Sequence, residues 1–151
     1  MAIATGAAIE FFGTQDTLGT SSAAVSNAAF SIASDLSTFT NDDDALTASV
    51  TLLSSFAVAP DANSAVNLFY RLLNVEGIYD NSIPDANFQH TFAGNFPLND
   101  ATGAQYATID ISLKNGYTSQ QYEFYIQNES GQTISAGWDL YVTPKAVGPH
   151  A

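Results

Sequence analysis

Apolar side chains recur at every second residue along most of this sequence, and this alternation restricts the fold more than any other feature. The longest example covers residues 46–58, where six of seven alternate positions are apolar: Leu46, Ala48, Val50, Leu52, Phe56 and Val58. Successive side chains of a strand point to opposite faces of a sheet, so a period of two indicates half-buried strands. Residues 62–73 also allow a helical interpretation, but their valine, phenylalanine and tyrosine content favours a strand.

The alternation predicts about eight strands separated by turn-rich segments. They cover residues 9–12, 30–36, 46–58, 66–75, 88–96, 109–113, 122–126 and 138–142. Residues 13–27 are predicted to form a loop. Residues 66–75 are apolar on both parities, which predicts a strand that is central or at an interface. The fold class that follows is all-β, an antiparallel β-sandwich with a jelly-roll-like arrangement.

The length of 151 residues fits one domain with its own core. We assign residues 1–8 to an N-terminal arm, 9–143 to the β-sandwich and 144–151 to an extended C-terminal tail. The tail assignment rests on Pro144 and Pro149, because proline cannot donate a hydrogen bond to a ladder. Small, extended chain ends are suited to contacting a neighbouring protein. The predicted partner-binding arm residues are Ala2, Ile3, Ala4, Pro144, Lys145 and Pro149.

The charge balance excludes several classes of partner. Fifteen acidic residues oppose three basic ones, for a net charge of −12. Such a chain repels phosphate backbones and anionic lipid surfaces, so neither nucleic acid nor a membrane is a predicted partner. Cysteine is absent, which excludes disulfides and thiolate chemistry. The sequence begins without the basic region of a signal peptide, and we expect synthesis in a cytoplasm.

The residues that carry catalytic chemistry are sparse. Only two histidines occur, His90 and His150, and no nucleophile elbow accompanies either of them. A zinc site would need three or four nitrogen or sulfur ligands, and two histidines without any cysteine cannot supply them. The chain is therefore predicted not to be an enzyme and to have no cofactor, with one possible exception. Asp42, Asp43 and Asp44 offer oxygen ligands for calcium, although their spacing does not match an EF-hand.

Several stretches resemble small structural proteins of tailed bacteriophages. They are residues 9–16 (IEFFGTQD), 39–44 (FTNDDD), 59–63 (APDAN), 122–126 (YEFYI), 133–138 (TISAGW) and 143–145 (TPK). The resemblance implies a virion protein made in the host cytoplasm, most naturally a capsid decoration or cement protein. Its implied partners are the major capsid protein or other virion proteins, and its implied state is a homo-oligomer, with a trimer favoured.

A second hypothesis stays open beside this one. Tyr79 and Tyr117 lie in predicted loops, and Trp138 begins a predicted strand. Exposed rings at these positions would suit stacking against a sugar. The alternative function is therefore a carbohydrate- or receptor-binding β-sandwich of a tail or head fibre.

Overall fold

The computed structural model describes residues 2–75, 77–89, 91–114 and 119–149. The described residues contain no helix. They form nine strands: β1 (Ala8–Phe12), β2 (Asp16–Thr17), β3 (Phe39–Asn41), β4 (Thr47–Phe56), β5 (Ala65–Leu73), β6 (Phe92–Pro97), β7 (Gly103–Ser112), β8 (Gln120–Glu129) and β9 (Asp139–Pro149).

The strands form two antiparallel sheets that face each other. One sheet has the order β1-β9-β4-β7, with β2 also paired to β9, and the other has the order β3-β8-β5-β6. If β1 and β2 are counted as one interrupted strand, the described part of the fold has eight strands. Their pairing is nested, because each strand from the start of the chain pairs with the strand at the same distance from the end. The first pairs with the last, β3 with β8, β4 with β7, and β5 with β6. This connectivity is that of a jelly roll, and the predicted antiparallel sandwich is confirmed.

The core lies between the sheets and follows the alternation read from the sequence. In β4 the side chains of Ala48, Val50 and Leu52 are fully buried, while the residues between them are partly exposed. The opposite sheet supplies a layer of aromatic rings with centroids 5.5 to 6.3 Å apart: Phe39, Tyr70, Tyr122 and Phe124. Edge and tilted contacts of this kind add stability beyond area burial.

β5 occupies the central position predicted for residues 66–75, between β8 and β6. Its second apolar face is covered by the chain itself. The ring of Phe69 lies 5.4 Å from that of Phe30 and 5.5 Å from that of Phe92. β5 therefore owes its double burial to its own fold, and no subunit contact is needed to account for it.

The prediction of a regular strand over residues 30–36 is wrong. Residues 28–31 donate and accept backbone bonds with β8, but the pairing consists of one isolated bridge at Phe30. The buried carboxylate of Asp35 accepts bonds from the backbone N–H groups of Ala23 and Ile32, at 2.9 Å each. A side chain that bonds to nearby backbone competes with ladder formation, and here it folds the segment into turns.

Other elements also differ from the prediction: β3 was not predicted, and β7 begins at Gly103 rather than at residue 109. The strand predicted over residues 88–96 begins only at Phe92, because Asp85 accepts bonds from the N–H groups of Asn87 and Phe88 in a preceding turn. Within the predicted loop 13–27, Asp16 and Thr17 form the short strand β2.

The expectation that Pro144 ends the last strand is also wrong, because β9 continues to Pro149. The carbonyl of Pro144 accepts a 2.8 Å bond from the N–H of Gly13. Since the N and O of one strand residue point to the same side, the missing N–H of Pro144 faces the gap between β1 and β2. No paired strand lies opposite it there, so the proline is tolerated.

Candidate interaction surface

The two chain ends meet in a two-stranded ribbon. β1 runs antiparallel to the end of β9, with Ala8 opposite Pro149 and Phe12 opposite Lys145. The pairing of β4 with β9 stops at Thr47 and Lys145, so residues 146–149 pair with β1 alone. We call Ala8–Phe12 together with residues 145–149 the terminal ribbon. It extends past the end of β4, where the sheet is only two strands wide.

The terminal ribbon exposes large apolar side chains on both faces. Phe12 is 63% exposed and Val147 is 69% exposed, and Phe11 shows nearly half of its surface on the opposite face. Leu46, which immediately precedes β4, is 70% exposed beside the ribbon. An isolated two-stranded ribbon is at best marginally stable in water. Grouped exposed apolar side chains are a common feature of surfaces that contact another molecule.

A buried lysine fixes the ribbon to the outer face of its sheet. The ammonium of Lys145 lies 2.9 Å from Asp110 on β7 and 3.4 Å from Glu10 on β1, and it sits 5.9 Å from the centre of the Phe12 ring. The hydrogen bond to Asp110 raises the pKa of Lys145 and Glu10 adds to the effect, while burial opposes it. The charge of Lys145 is therefore neutralised locally, and its stem covers apolar surface.

An acidic loop borders the ribbon. Asn41 closes this β3–β4 loop, because its amide donates to the carbonyl of Ala45 at 2.9 Å and accepts from the N–H of Ala45 at 3.0 Å. The carboxylates of Asp42, Asp43 and Asp44 are exposed. Within the described parts of the chain, no group of three potential ligand side chains is placed to hold a metal ion. The geometry thus lends the predicted calcium site no support.

Two adjoining cavities separate the acidic loop from the ribbon. One, of about 260 Å³, is lined by Phe11, Gly13, Asp43 and Pro144 among others. The second, of about 400 Å³, includes Leu46 and Val147 in its lining. A methyl group at Gly13 would lie 2.9 Å from the Pro144 ring and 3.0 Å from the Asp43 carboxylate. Glycine is therefore needed where β1 approaches the loop.

The fold brings together residues that sequence analysis had placed in separate segments. Pro144 and Lys145 from the predicted tail line a cavity with Asp43 from the predicted calcium loop. Ala2, Ile3 and Ala4 precede β1 as an exposed segment outside the sheets, and Pro149 ends the ribbon. Whether these residues bind a partner stays a prediction.

The apolar residues of this surface were not predicted as a site. Phe11 and Phe12 were assigned to a half-buried strand, and Leu46 and Val147 were not singled out as exposed. One signal for them exists in the sequence. Two consecutive phenylalanines in a strand point to opposite faces, so both are buried only where both faces of that strand are covered.

The aromatic residues of the alternative hypothesis are dispersed. Tyr79 is 65% exposed, but Trp138 is buried and donates its indole N–H to the carbonyl of Ala23 at 2.8 Å. Trp138 is therefore a core residue and cannot stack on a ligand. Tyr117, like His90 and His150, lies outside the described residues. A further ring, that of Tyr106, is 67% exposed on the outer face of β7.

Comparison with known proteins adds no identification. No protein-family model matches this sequence, and no curated protein matches it at a significant level. No helix in the described part of the chain is long and apolar enough to span a membrane.

Proposed function

We propose that this protein is a non-enzymatic virion structural protein of a tailed bacteriophage, a capsid decoration subunit that binds the major capsid protein shell and stabilises the head. The phage assignment comes from the sequence resemblance. The observation that carries the binding role is the terminal ribbon, where Phe11, Phe12 and Val147 are exposed beside a groove.

The chemistry of the surface fits this role. A decoration protein must stay soluble until it meets the shell, and a net charge of −12 keeps free copies apart. Its adhesive surface must be small and local, as the ribbon and the adjoining Leu46 are. A jelly roll also hosts many unrelated functions, so the fold is compatible with the proposal but does not carry it.

Rebinding to shells from which the protein has been removed tests the proposal. The test variant is Val147→Ser in the ribbon, and the control is Val58→Ser, a valine of similar exposure at the far end of β4. Burying an exposed valine contributes about 1.5 to 2 kcal/mol. We therefore expect Val147→Ser to weaken binding about tenfold or more, and Val58→Ser to bind as the unaltered protein does.

The number of copies per particle is the second readout. A decoration subunit occupies every equivalent position of the shell, so its copy number follows the shell symmetry. A copy number that fits only a tail or a fibre would contradict the proposal. So would equal binding by the two valine variants.

One observation favours carbohydrate binding as a second candidate. Exposed Tyr106 and partly exposed Tyr141 lie on the outer face of the same sheet, on the two strands that flank β4. Burial raises the pKa of Tyr141, and Asp139 and Tyr106 add to the shift. A glycan array with the intact protein and with Tyr106→Ala tests this role. Binding that depends on Tyr106 would favour the fibre hypothesis over decoration.

A further inference from the structure

We propose that β1 is an exchangeable strand, so that a second copy of this chain supplies Ala8–Phe12 to β9 and receives the same strand in return. The inference concerns the chain alone and does not depend on the proposed function. In the exchanged state the edge of β9 is occupied by β1 of the second copy, in the place that the chain's own β1 occupies here.

β1 is weakly integrated into the fold. Four of its five residues are exposed, and only Ile9 is partly covered. Among the described strands it pairs with β9 alone. Residues 146–149 pair with β1 and with no other described strand, so departure of β1 breaks no other described pairing. Elements with few buried contacts open at low free energy.

An unpaired segment of three residues separates β1 from β2 along the edge of the sheet. Residues 13–15 connect it to β2, and these three residues are exposed. Gly13 donates to Pro144, but Pro144 has no N–H to return a bond. β2 remains held to β9 independently, because Asp16 pairs with Val142 and Thr17 with Tyr141. β1 can therefore leave while β2 stays in place.

The edge that β1 vacates is shaped for β1. Lys145 reaches Glu10 and the ring of Phe12, and the cavity beside Pro144 is lined by Phe11. A strand from another copy restores each of these contacts, so exchange between copies is nearly neutral in contact energy.

Single cysteines report the exchange without ambiguity, because the chain has none of its own. Glu10 and Val147 face each other across the ribbon. Gly13 and Pro144 form a hydrogen-bonded pair three positions along, so Glu10 and Val147 are a non-hydrogen-bonded pair, whose close Cα atoms suit a disulfide. Chains carrying Glu10→Cys are mixed at high concentration with size-tagged chains carrying Val147→Cys, incubated and oxidised.

Exchange predicts that the mixed disulfide dimer exceeds both like-with-like dimers several-fold and increases with incubation time. The control mixture carries Thr51→Cys and Thr108→Cys, whose hydroxyls lie 2.8 Å apart across β4 and β7, which do not exchange. In this control mixture the yield of mixed dimer should equal the yield expected from random collision. A ribbon mixture that also gives only the random proportion overturns the inference.

Hydrogen exchange of the unaltered protein gives a second, variant-free readout. Amides of β1 must exchange much faster than those of Leu140 and Val142, which are fully buried in β9. Equal protection of the two groups would mean that β1 does not open separately, and the inference would be wrong. Neither result affects the shell-binding test, in which Val147 acts as an exposed side chain.

Discussion

A charged network on the outer face of the β3-β8-β5-β6 sheet gives the sharpest test of the energetics. Arg71 on β5 lies opposite Glu123 on β8, and its Nε donates to the Glu123 carboxylate. Tyr125, which is fully buried, donates its hydroxyl to the same carboxylate oxygen at 2.5 Å. Burial raises the pKa of Tyr125, and Glu123 reinforces the shift. The side chain of Arg71 is only 17% exposed and that of Glu123 only 12% exposed.

Removal of one of these charges should therefore lower the free energy of unfolding substantially. Breaking a fully buried ion pair costs about 3 to 5 kcal/mol, and the residual exposure here places Arg71→Met nearer 2 to 3 kcal/mol. Glu123→Gln keeps an acceptor for Tyr125 but leaves the guanidinium without its counter-charge, at about 1 to 2 kcal/mol. The double variant should cost less than the sum by about 1 to 2 kcal/mol, because it leaves no unpaired charge behind.

Urea unfolding of the four proteins at neutral pH measures this coupling, provided that the slopes agree. Asn67 and Gln127 form a matched control on the same strands, with a neutral bond of 3.2 Å. We expect their alanine variants to be coupled by less than about 0.5 kcal/mol. If the Arg71 and Glu123 effects add within that margin, the network is not an energetic unit and the reasoning fails.

Three other outcomes follow from the described contacts. Asp35→Ala leaves two N–H groups without acceptors and should lower the free energy of unfolding by about 2 to 3 kcal/mol in urea titration. Gly131→Ala should lower the melting temperature more than Gly137→Ala does, because both glycines have positive φ but only at Gly131 would the methyl group collide with Asp61. Five side chains whose ordinary pKa lies near 10 have raised pKa values: Tyr70, Tyr122, Tyr125, Tyr141 and Lys145. Since each folded pKa exceeds its unfolded value, their contribution to stability is complete below about pH 10 and is lost as pH rises through the folded pKa. Circular dichroism should therefore show unfolding on the alkaline side, and unchanged melting well above pH 10 would contradict it.

The sequence predicted the parts of the fold that burial alone determines. β4, β5 and β8, and the end of β7, were predicted because apolar residues recur at alternate positions in their sequences, and such alternation requires nothing beyond a sheet with a buried face. The segment around Asp35 was mispredicted because a single buried carboxylate reorganises the backbone there. A contact across the fold of this kind has no periodic signature in the sequence.

The last strand shows a second limit. Proline was taken as a terminator of β9, and this rule fails at Pro144 because the neighbouring edge is interrupted at the same point. Local rules assume a continuous neighbour on both sides. Whether the rule applies depends on a residue more than a hundred positions away, Gly13, and the sequence alone does not show that the two meet.

Nested pairing brings the two segments of the candidate surface together. The first described strand pairs with the last, and Glu10 contacts Lys145 across 135 positions. Among the described strands β1 pairs with β9 alone, so β1 forms one edge of its sheet. Proteins usually protect an exposed sheet edge with charges, proline or a covering segment, or pair it with another strand. Here Phe12 and Val147 give the edge an exposed apolar surface. We propose a virion partner or a second copy of the chain as the complement of the ribbon, and loss of either would leave the described inner strand pairs intact.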